Sequence, residues 1–191
     1  MRSASAYRYF LCFLPDEALR REIARLHRRT GQFDERVKVE RSHLSLCVFG
    51  VPQKRDAFLA RRIDGALGEE PLSSCVVRLG RVRGGPCGAT LFTRGRRGEL
   101  TQLRCRLLAR LAARGIVPEL EKTNPHITLG YDPCQGPSFD IALEWIPREI
   151  VLIESEHGRT RHNRLASWSL LEPEQGSLLF AGQPGELRLA S

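Results

Sequence analysis

Two short stretches, Ser42-His43-Leu44-Ser45-Leu46 and Pro125-His126-Ile127-Thr128-Leu129, read as copies of one another. Each runs histidine, apolar, hydroxyl, apolar. In a β-strand successive side chains alternate between faces, so His43 and Ser45 project from one face while Leu44 and Leu46 anchor the other in a core. The same holds for His126 and Thr128. The chain thus presents two imidazoles and two hydroxyls on two strand-borne platforms, one in each half. A pseudo-twofold arrangement around one cleft is the simplest way to use them.

Outward from these stretches the pattern is mixed. Tyr7 to Leu14 is aromatic and β-prone, and Pro15-Asp16 opens a helix over Glu17 to Arg29 with Leu19, Ile23 and Leu26 at helical spacing. Thr30 to Ser42 is a polar loop, His43 to Gly50 a short strand, and Asp56 to Leu67 a second helix. Cys75 to Arg83 and Ala89 to Thr93 form a hairpin around Gly84-Gly85-Pro86-Cys87-Gly88. A glycine-rich loop can cradle phosphate, but this one has no Lys-Ser/Thr and precedes no helix, which favours a plain turn. A third helix spans Glu99 to Arg114, with Leu100, Leu103, Leu107, Leu108 and Leu111 on one face and Gly115 as its stop. Strands follow at Ile127 to Tyr131, Ile141 to Trp145, Glu149 to Glu154 and Leu165 to Leu171, with a Pro/Gly-rich loop at Pro133 to Pro137. This order lacks a regular β-α alternation and predicts an α+β fold with mainly antiparallel sheet. Residues 1–171 are expected to form one domain and 172–191 a tail.

Length and composition agree with one folded unit. At 191 residues, with 41% hydrophobic and 27% charged side chains, the chain can bury a sizeable core unaided, and disordered composition is excluded. Thirty Lys and Arg against 22 Asp and Glu give +8, and only Lys38, Lys54 and Lys122 are lysines. Arginine's planar fork grips phosphate bidentately, so the excess suits a nucleic-acid or phosphate partner; a plain solvated surface is the competing reading. Cys12, Cys47, Cys75, Cys87, Cys105 and Cys134 are scattered without a CxxC pair and read as buried free thiols, neither a disulfide framework nor a zinc site. No apolar stretch approaches the ~20 residues of a membrane span, and Tyr7 to Leu14 is followed by no cleavage site. A cytoplasmic protein, monomeric and with no membrane association, is expected.

The paired motifs suit a specific chemistry. Opening a cyclic phosphodiester with water requires a base to take a proton from the nucleophile and an acid to protonate the leaving ribose oxygen. Imidazole can do either near neutral pH. Charge growing on the non-bridging oxygens asks for donors, which Ser45 and Thr128 can supply. A single histidine at the start of an apolar strand is most often a boundary or core residue; two with the same hydroxyl offset are harder to explain that way.

The pair resembles the duplicated HxS/T signature of the two-histidine (2H) phosphoesterases, and the whole stretch Tyr7 to Leu171 is similar to their branch of bacterial RNA 2',3'-cyclic phosphodiesterases, also called 2'-5' RNA ligases. The resemblance is carried by the first strand ending in Leu14-Pro15, His43-Leu-Ser-Leu followed by Phe49-Gly50, Asn124-Pro125-His126-Ile-Thr-Leu, and Ile150 to Ser155 leading to Trp168-Ser-Leu. It implies a bilobal α+β fold, two pseudo-symmetric lobes with outer helices around a central cleft. It also implies hydrolysis of a terminal 2',3'-cyclic phosphate to the 2'-phosphate, with no metal or cofactor. His43, Ser45, His126 and Thr128 are then the catalytic set; Tyr131, Arg41 and Phe10 are the candidate substrate contacts, and RNA ends or cyclic nucleotides the partners. The chain departs from its relatives at Ser45, where Thr is usual, at Tyr131, where many have Arg, and at His162, where a Tyr precedes the last strand.

Other readings stay open. ADP-ribose cyclic phosphate, 2',5'-linked oligonucleotides or 2',5' ligation would use the same four groups, and an RNA-binding module could share the fold without turnover. His27, in a charged helix, is expected to face solvent. His157 and His162 fall in the stretch Glu156 to Arg164 beside Arg159, Arg161 and Arg164, either an exposed basic loop or a flap over the RNA backbone.

Overall fold

The computed structural model describes residues 7–30, 37–50, 55–85, 88–94, 98–119, 125–131, 138–156 and 161–173. The centre of the glycine-rich turn at 86–87, the loop 133–137, Asn124, Cys87, Cys134, His157, Arg159 and the expected tail from 174 on lie outside them. Eight strands, β1 (Tyr7–Phe13), β2 (Leu44–Phe49), β3 (Val77–Gly85), β4 (Gly88–Thr93), β5 (His126–Gly130), β6 (Phe139–Trp145), β7 (Glu149–Glu156) and β8 (Arg161–Ser169), form one sheet in the order β6-β3-β4-β5-β2-β1-β7-β8. All the ladders between these strands are antiparallel. The three helices are α1 (Glu17–Arg29), α2 (Leu59–Leu67) and α3 (Glu99–Ala113).

The sheet order carries the expected pseudo-symmetry. Strand, helix and motif strand recur as β1-α1-β2 and β4-α3-β5, and each motif strand pairs with its own first strand. The two expected lobes are the halves of one sheet, meeting where β2 runs beside β5 at the pair Leu44 and Ile127. That pair is the apolar residue between histidine and hydroxyl in each motif, so the two motifs cross at the middle of the molecule.

Alternation divides the sheet into a packed and an open face. Leu44, Leu46, Ile127, Leu129, Leu91 and Val82 join Leu19 and Ile23 of α1, Ile63 of α2 and Leu107 and Leu111 of α3 in one large apolar cluster. All three helices therefore cover one face. On the other, among the described residues, a small apolar cluster of Phe10, Cys12, Val48, Val151 and Ile153 covers only the half built from β2, β1 and β7. At the start of β4, Gly88 has a positive φ of 116°, and a Cβ there would collide with the Gly130 carbonyl oxygen. Only glycine lets β4 and β5 approach so closely at this end.

Local signals account for the helix ends. The Asp16 side chain accepts from the Leu19 backbone N–H at 2.8 Å and caps α1, a device worth about 1 kcal/mol. The Thr30 hydroxyl donates to the Leu26 carbonyl at 2.9 Å at its other end. The second helix starts later than its pattern predicts, because Asp56 accepts from the Phe58 backbone N–H at 3.0 Å and makes a turn before Leu59. Within the expected loop Thr30 to Ser42, Val39–Arg41 form a turn of 3-10 helix.

Three expectations are corrected. His27 is buried, 6% exposed, because it stands one helical turn after Ile23 on the packed face of α1. Cys105 is exposed, pointing away from Leu103 and Leu107 on α3. Cys12, Cys47 and Cys75 are buried free thiols as expected, and burial pushes the last two up to about 12. The last strand begins at Arg161, so much of the stretch read as a basic loop is strand paired to β7.

Candidate active site

His43 stands at the entrance of β2, just after the 3-10 turn. Its Nδ1 lies 2.9 Å from the Arg41 carbonyl oxygen. A carbonyl only accepts, so Nδ1 carries a proton, and in the neutral ring Nε2 is then the acceptor. The carbonyl is available because it sits at the end of a short turn, where no later helical N–H follows to claim it. Two rings fix the imidazole further: Phe10 stacks on it at 4.7 Å between centroids and 26° between planes, and His162 meets it edge-on at 5.5 Å and 73°.

His126 opens β5, with Phe92 of β4 as its register partner and the two ring centroids 5.8 Å apart. Ser45 and Thr128 follow two residues after their histidines and, by alternation, share their face. All four groups line one cavity of about 260 Å³ on the open face, together with Phe10, Tyr131, Arg8, Arg104, Ser155 and His162. Tyr131 is 57% exposed and sits at the rim.

Burial is the main force on the His43 ring and pushes its pKa below the usual imidazole value. The bond to the Arg41 carbonyl works against this, while the neighbouring His126, Arg8 and Arg41 act in the same sense as burial. His162 is pushed down to about 4, again chiefly by burial, then by His43 and Arg41. Both rings are therefore neutral at physiological pH.

Of the residues singled out in the sequence, His43, Ser45, His126, Thr128, Phe10 and Tyr131 come together in this cavity. Arg41 does not line it. Its backbone holds His43, and its side chain lines an adjoining cavity of about 350 Å³ with Glu40, Arg164 and His162. His162 is a ring in the wall between the two cavities, set there by its pairing with Ser155, which in turn pairs with Arg8. Arg8 could have been found from alternation, being two residues before Phe10; Arg104 and Ser155 left no such signal.

Twin histidine-hydroxyl strands side by side at the middle of an antiparallel α+β sheet define the fold of a 2H phosphoesterase. The chain belongs to the 2'-5' RNA ligase superfamily, whose family model matches residues 15–167. Among solved structures, TT0787 of Thermus thermophilus is similar with a TM-score of 0.69 and 20% identity, over 87% of this chain and 100% of that one. LigT of E. coli in its apo form is similar with a TM-score of 0.63 and 22% identity, over 87% and 99%. LigT complexed with 3'-AMP gives 0.62 and 20%, over 87% and 98%. These likenesses show the fold. No curated protein matches in sequence. Among the described residues no helix is long and apolar enough to cross a membrane, and no group of three or more His, Cys, Asp or Glu side chains is placed to hold a metal ion.

Proposed function

We propose that the protein is an RNA 2',3'-cyclic phosphodiesterase that converts a terminal 2',3'-cyclic phosphate to the 2'-phosphate with paired histidines and no metal. The observation that carries this reading is the meeting of the two motifs: Leu44 pairs with Ile127, and His43, Ser45, His126 and Thr128 line one cavity. The ligands crystallised with E. coli LigT, namely 3'-AMP, ATP, NADP+ and phosphate, all bear phosphate and agree with a phosphate-handling cavity.

The geometry of His43 favours it as the base. Its Nε2 is unprotonated, burial keeps it neutral, and Phe10 and the Arg41 carbonyl hold the ring in place. Nε2 takes a proton from water as the water oxygen bonds to phosphorus. The bond from phosphorus to the ribose 3' oxygen breaks, and His126 gives that oxygen its proton. One water is added overall, leaving a 2'-phosphate and a 3'-hydroxyl. The hydroxyls of Ser45 and Thr128 donate to the non-bridging oxygens, where charge grows in the transition state. With a ribose 5'-hydroxyl in place of water the same transfers would join a 2',5' linkage, the reaction after which the family is named.

Incubation with a nucleoside 2',3'-cyclic phosphate in the presence of a chelator tests the reading, with the products resolved by chromatography. The expected result is the nucleoside 2'-phosphate alone. The 3'-phosphate would reverse the leaving oxygen, activity dependent on added divalent metal would remove the paired-histidine mechanism, and no turnover would leave an RNA-binding module.

A further inference from the structure

The open face of the sheet differs sharply between its halves. On the β2-β1-β7 side Phe10, Val48, Val151 and Ile153 pack together, with Arg8, Ser155 and His162 beside them at the candidate active site. On the β5-β4-β3 side, two rows of register partners run outward from the catalytic motif. His126 pairs with Phe92, and Phe92 with Arg81; Thr128 pairs with Thr90, and Thr90 with Arg83. Partners in register point to the same face, and the residue between the arginines, Val82, is fully buried on the other. Arg81 and Arg83 are therefore carried on the same surface as His126 and Thr128, two strand spacings away, roughly 10 Å.

That surface is a third cavity, of about 550 Å³, lined by Arg81, Arg83, Arg94 and Phe92 among others. A β-bulge at Gly80 brings Arg94 in: the side chain lies across the glycine, so close that a Cβ there would be 2.6 Å from the Arg94 Cδ. The Arg83 guanidinium stands 6.0 Å above the Phe92 ring, and Phe92 lies 5.8 Å, centroid to centroid, from His126, so this ring stands between the arginines and the cavity that holds His126. Asp140 is the one carboxylate lining this cavity among the described residues. It meets Arg81 at 3.6 Å with side chains 51% and 80% exposed, and such a pair contributes about 0–1 kcal/mol to folding. Folding gives little reason for three arginines here.

We propose that this surface, Arg81, Arg83 and Arg94 around Phe92, is a binding track for the phosphodiester backbone of a single-stranded RNA whose cyclic-phosphate end occupies the His43 and His126 cavity. The inference rests on the proposed function and goes beyond it: the preferred substrate is an oligoribonucleotide end, not a free cyclic mononucleotide. Guanidinium groups fork onto successive phosphates, and Phe92 offers a face on which a base next to the end can stack. Continuity with the candidate active site and the sign of the charge both favour a nucleic-acid strand as the occupant.

The test compares hydrolysis of a nucleoside 2',3'-cyclic phosphate with that of a short oligoribonucleotide ending in the same group, in the wild type, in Arg81→Ala/Arg83→Ala and in Arg21→Ala/Arg25→Ala. The last pair removes the same charge from exposed positions on α1, away from the sheet. The track predicts that the Arg81/Arg83 variant loses about tenfold or more in kcat/KM on the oligonucleotide, through KM, and stays within about twofold on the mononucleotide. The α1 variant should match the wild type on both. Fluorescence anisotropy with a labelled oligoribonucleotide ending in a 2'-phosphate gives a readout independent of turnover. Its affinity should fall with salt, and the slope against log salt should flatten by about 1.4 when two phosphate contacts are lost. Equal losses on both substrates, equal losses in the two variants, or unchanged oligonucleotide affinity would overturn the track. If the wild type turns over neither substrate, the proposed function fails, and the anisotropy comparison alone decides whether the strand site exists.

Discussion

Thr128→Val removes one hydroxyl from the site and leaves almost everything else in place. Thr128 is half-buried on β5 opposite Thr90, and valine keeps the branch that suits a strand. The fold should therefore tolerate the change, with a stability cost of about 1 kcal/mol or less. Turnover should not. If the hydroxyl donates to a phosphate oxygen whose charge grows in the transition state, its loss costs roughly 10²–10³ in kcat, about 3–4 kcal/mol of barrier, by analogy with a single oxyanion donor. The effect should fall on kcat more than on KM, since the interaction strengthens as the reaction proceeds. Thr128→Ser makes the complementary change, keeping the hydroxyl and losing the methyl, and should remain within a few-fold of the wild type. Serine already occupies the equivalent position of the first motif, at Ser45. Steady-state kinetics on a 2',3'-cyclic nucleotide, with thermal melts as the control, separate the cases. A Thr128→Val enzyme within threefold of the wild type, or a Thr128→Ser enzyme as impaired as the valine variant, would refute the donor role.

Further expectations concern pH and stability. The rate should be bell-shaped in pH, and because burial lowers the His43 pKa, the acid limb of kcat/KM should lie below the ordinary 6.5 of imidazole; a limb above that value would contradict His43 as a buried neutral base. His162→Phe should stabilise the fold relative to the wild type increasingly as pH falls from 6.5 towards about 4. The ring's folded pKa is depressed, so across that window the unfolded chain takes up the proton and the native state does not; melts at pH 5 and 8 showing the same difference would exclude this. At Glu154, burial pushes the carboxyl up, but bonds from Arg55, Asn163 and Tyr9 outweigh it and hold its pKa down. Its contribution is present above the ordinary carboxylate pKa and lost as pH falls through the folded value. Glu154→Ala should cost about 1–3 kcal/mol at neutral pH by leaving the buried Tyr9 hydroxyl without this partner, and a neutral effect in denaturant melts would show that the cluster is dispensable.

Period and capping chemistry were enough to read α1, which runs from Glu17 to Arg29 as its leucine spacing and Asp16 predict, and the β3-β4 hairpin around its glycines. That His43, Ser45, His126 and Thr128 share one cavity was legible for a similar reason: alternation along a strand puts each hydroxyl on the face of the histidine two residues before it. What alternation does not carry is strand order. The meeting of β2 with β5, and the row from Arg8 through Ser155 to His162, depend on pairings between segments far apart in the chain. His162 thus passed for a loop residue although β8 begins one position before it. The arginines of β3 were visible only as net charge until a bulge at Gly80 and two register steps put them on the face that carries His126. His27 was misplaced because the charges around it outweighed its spacing of four from Ile23.

In the proposed reaction two histidines, without metal, add one water across the bond between phosphorus and the ribose 3' oxygen. Single-turnover hydrolysis of a 2',3'-cyclic phosphate in ¹⁸O-labelled water with chelator present, followed by mass spectrometry of the product, tests it most directly. The wild type should yield a 2'-phosphate carrying one ¹⁸O, and His43→Ala and His126→Ala should each yield none above background. Label in a 3'-phosphate, or a residual rate within a few-fold of the wild type in either variant, would contradict the claim.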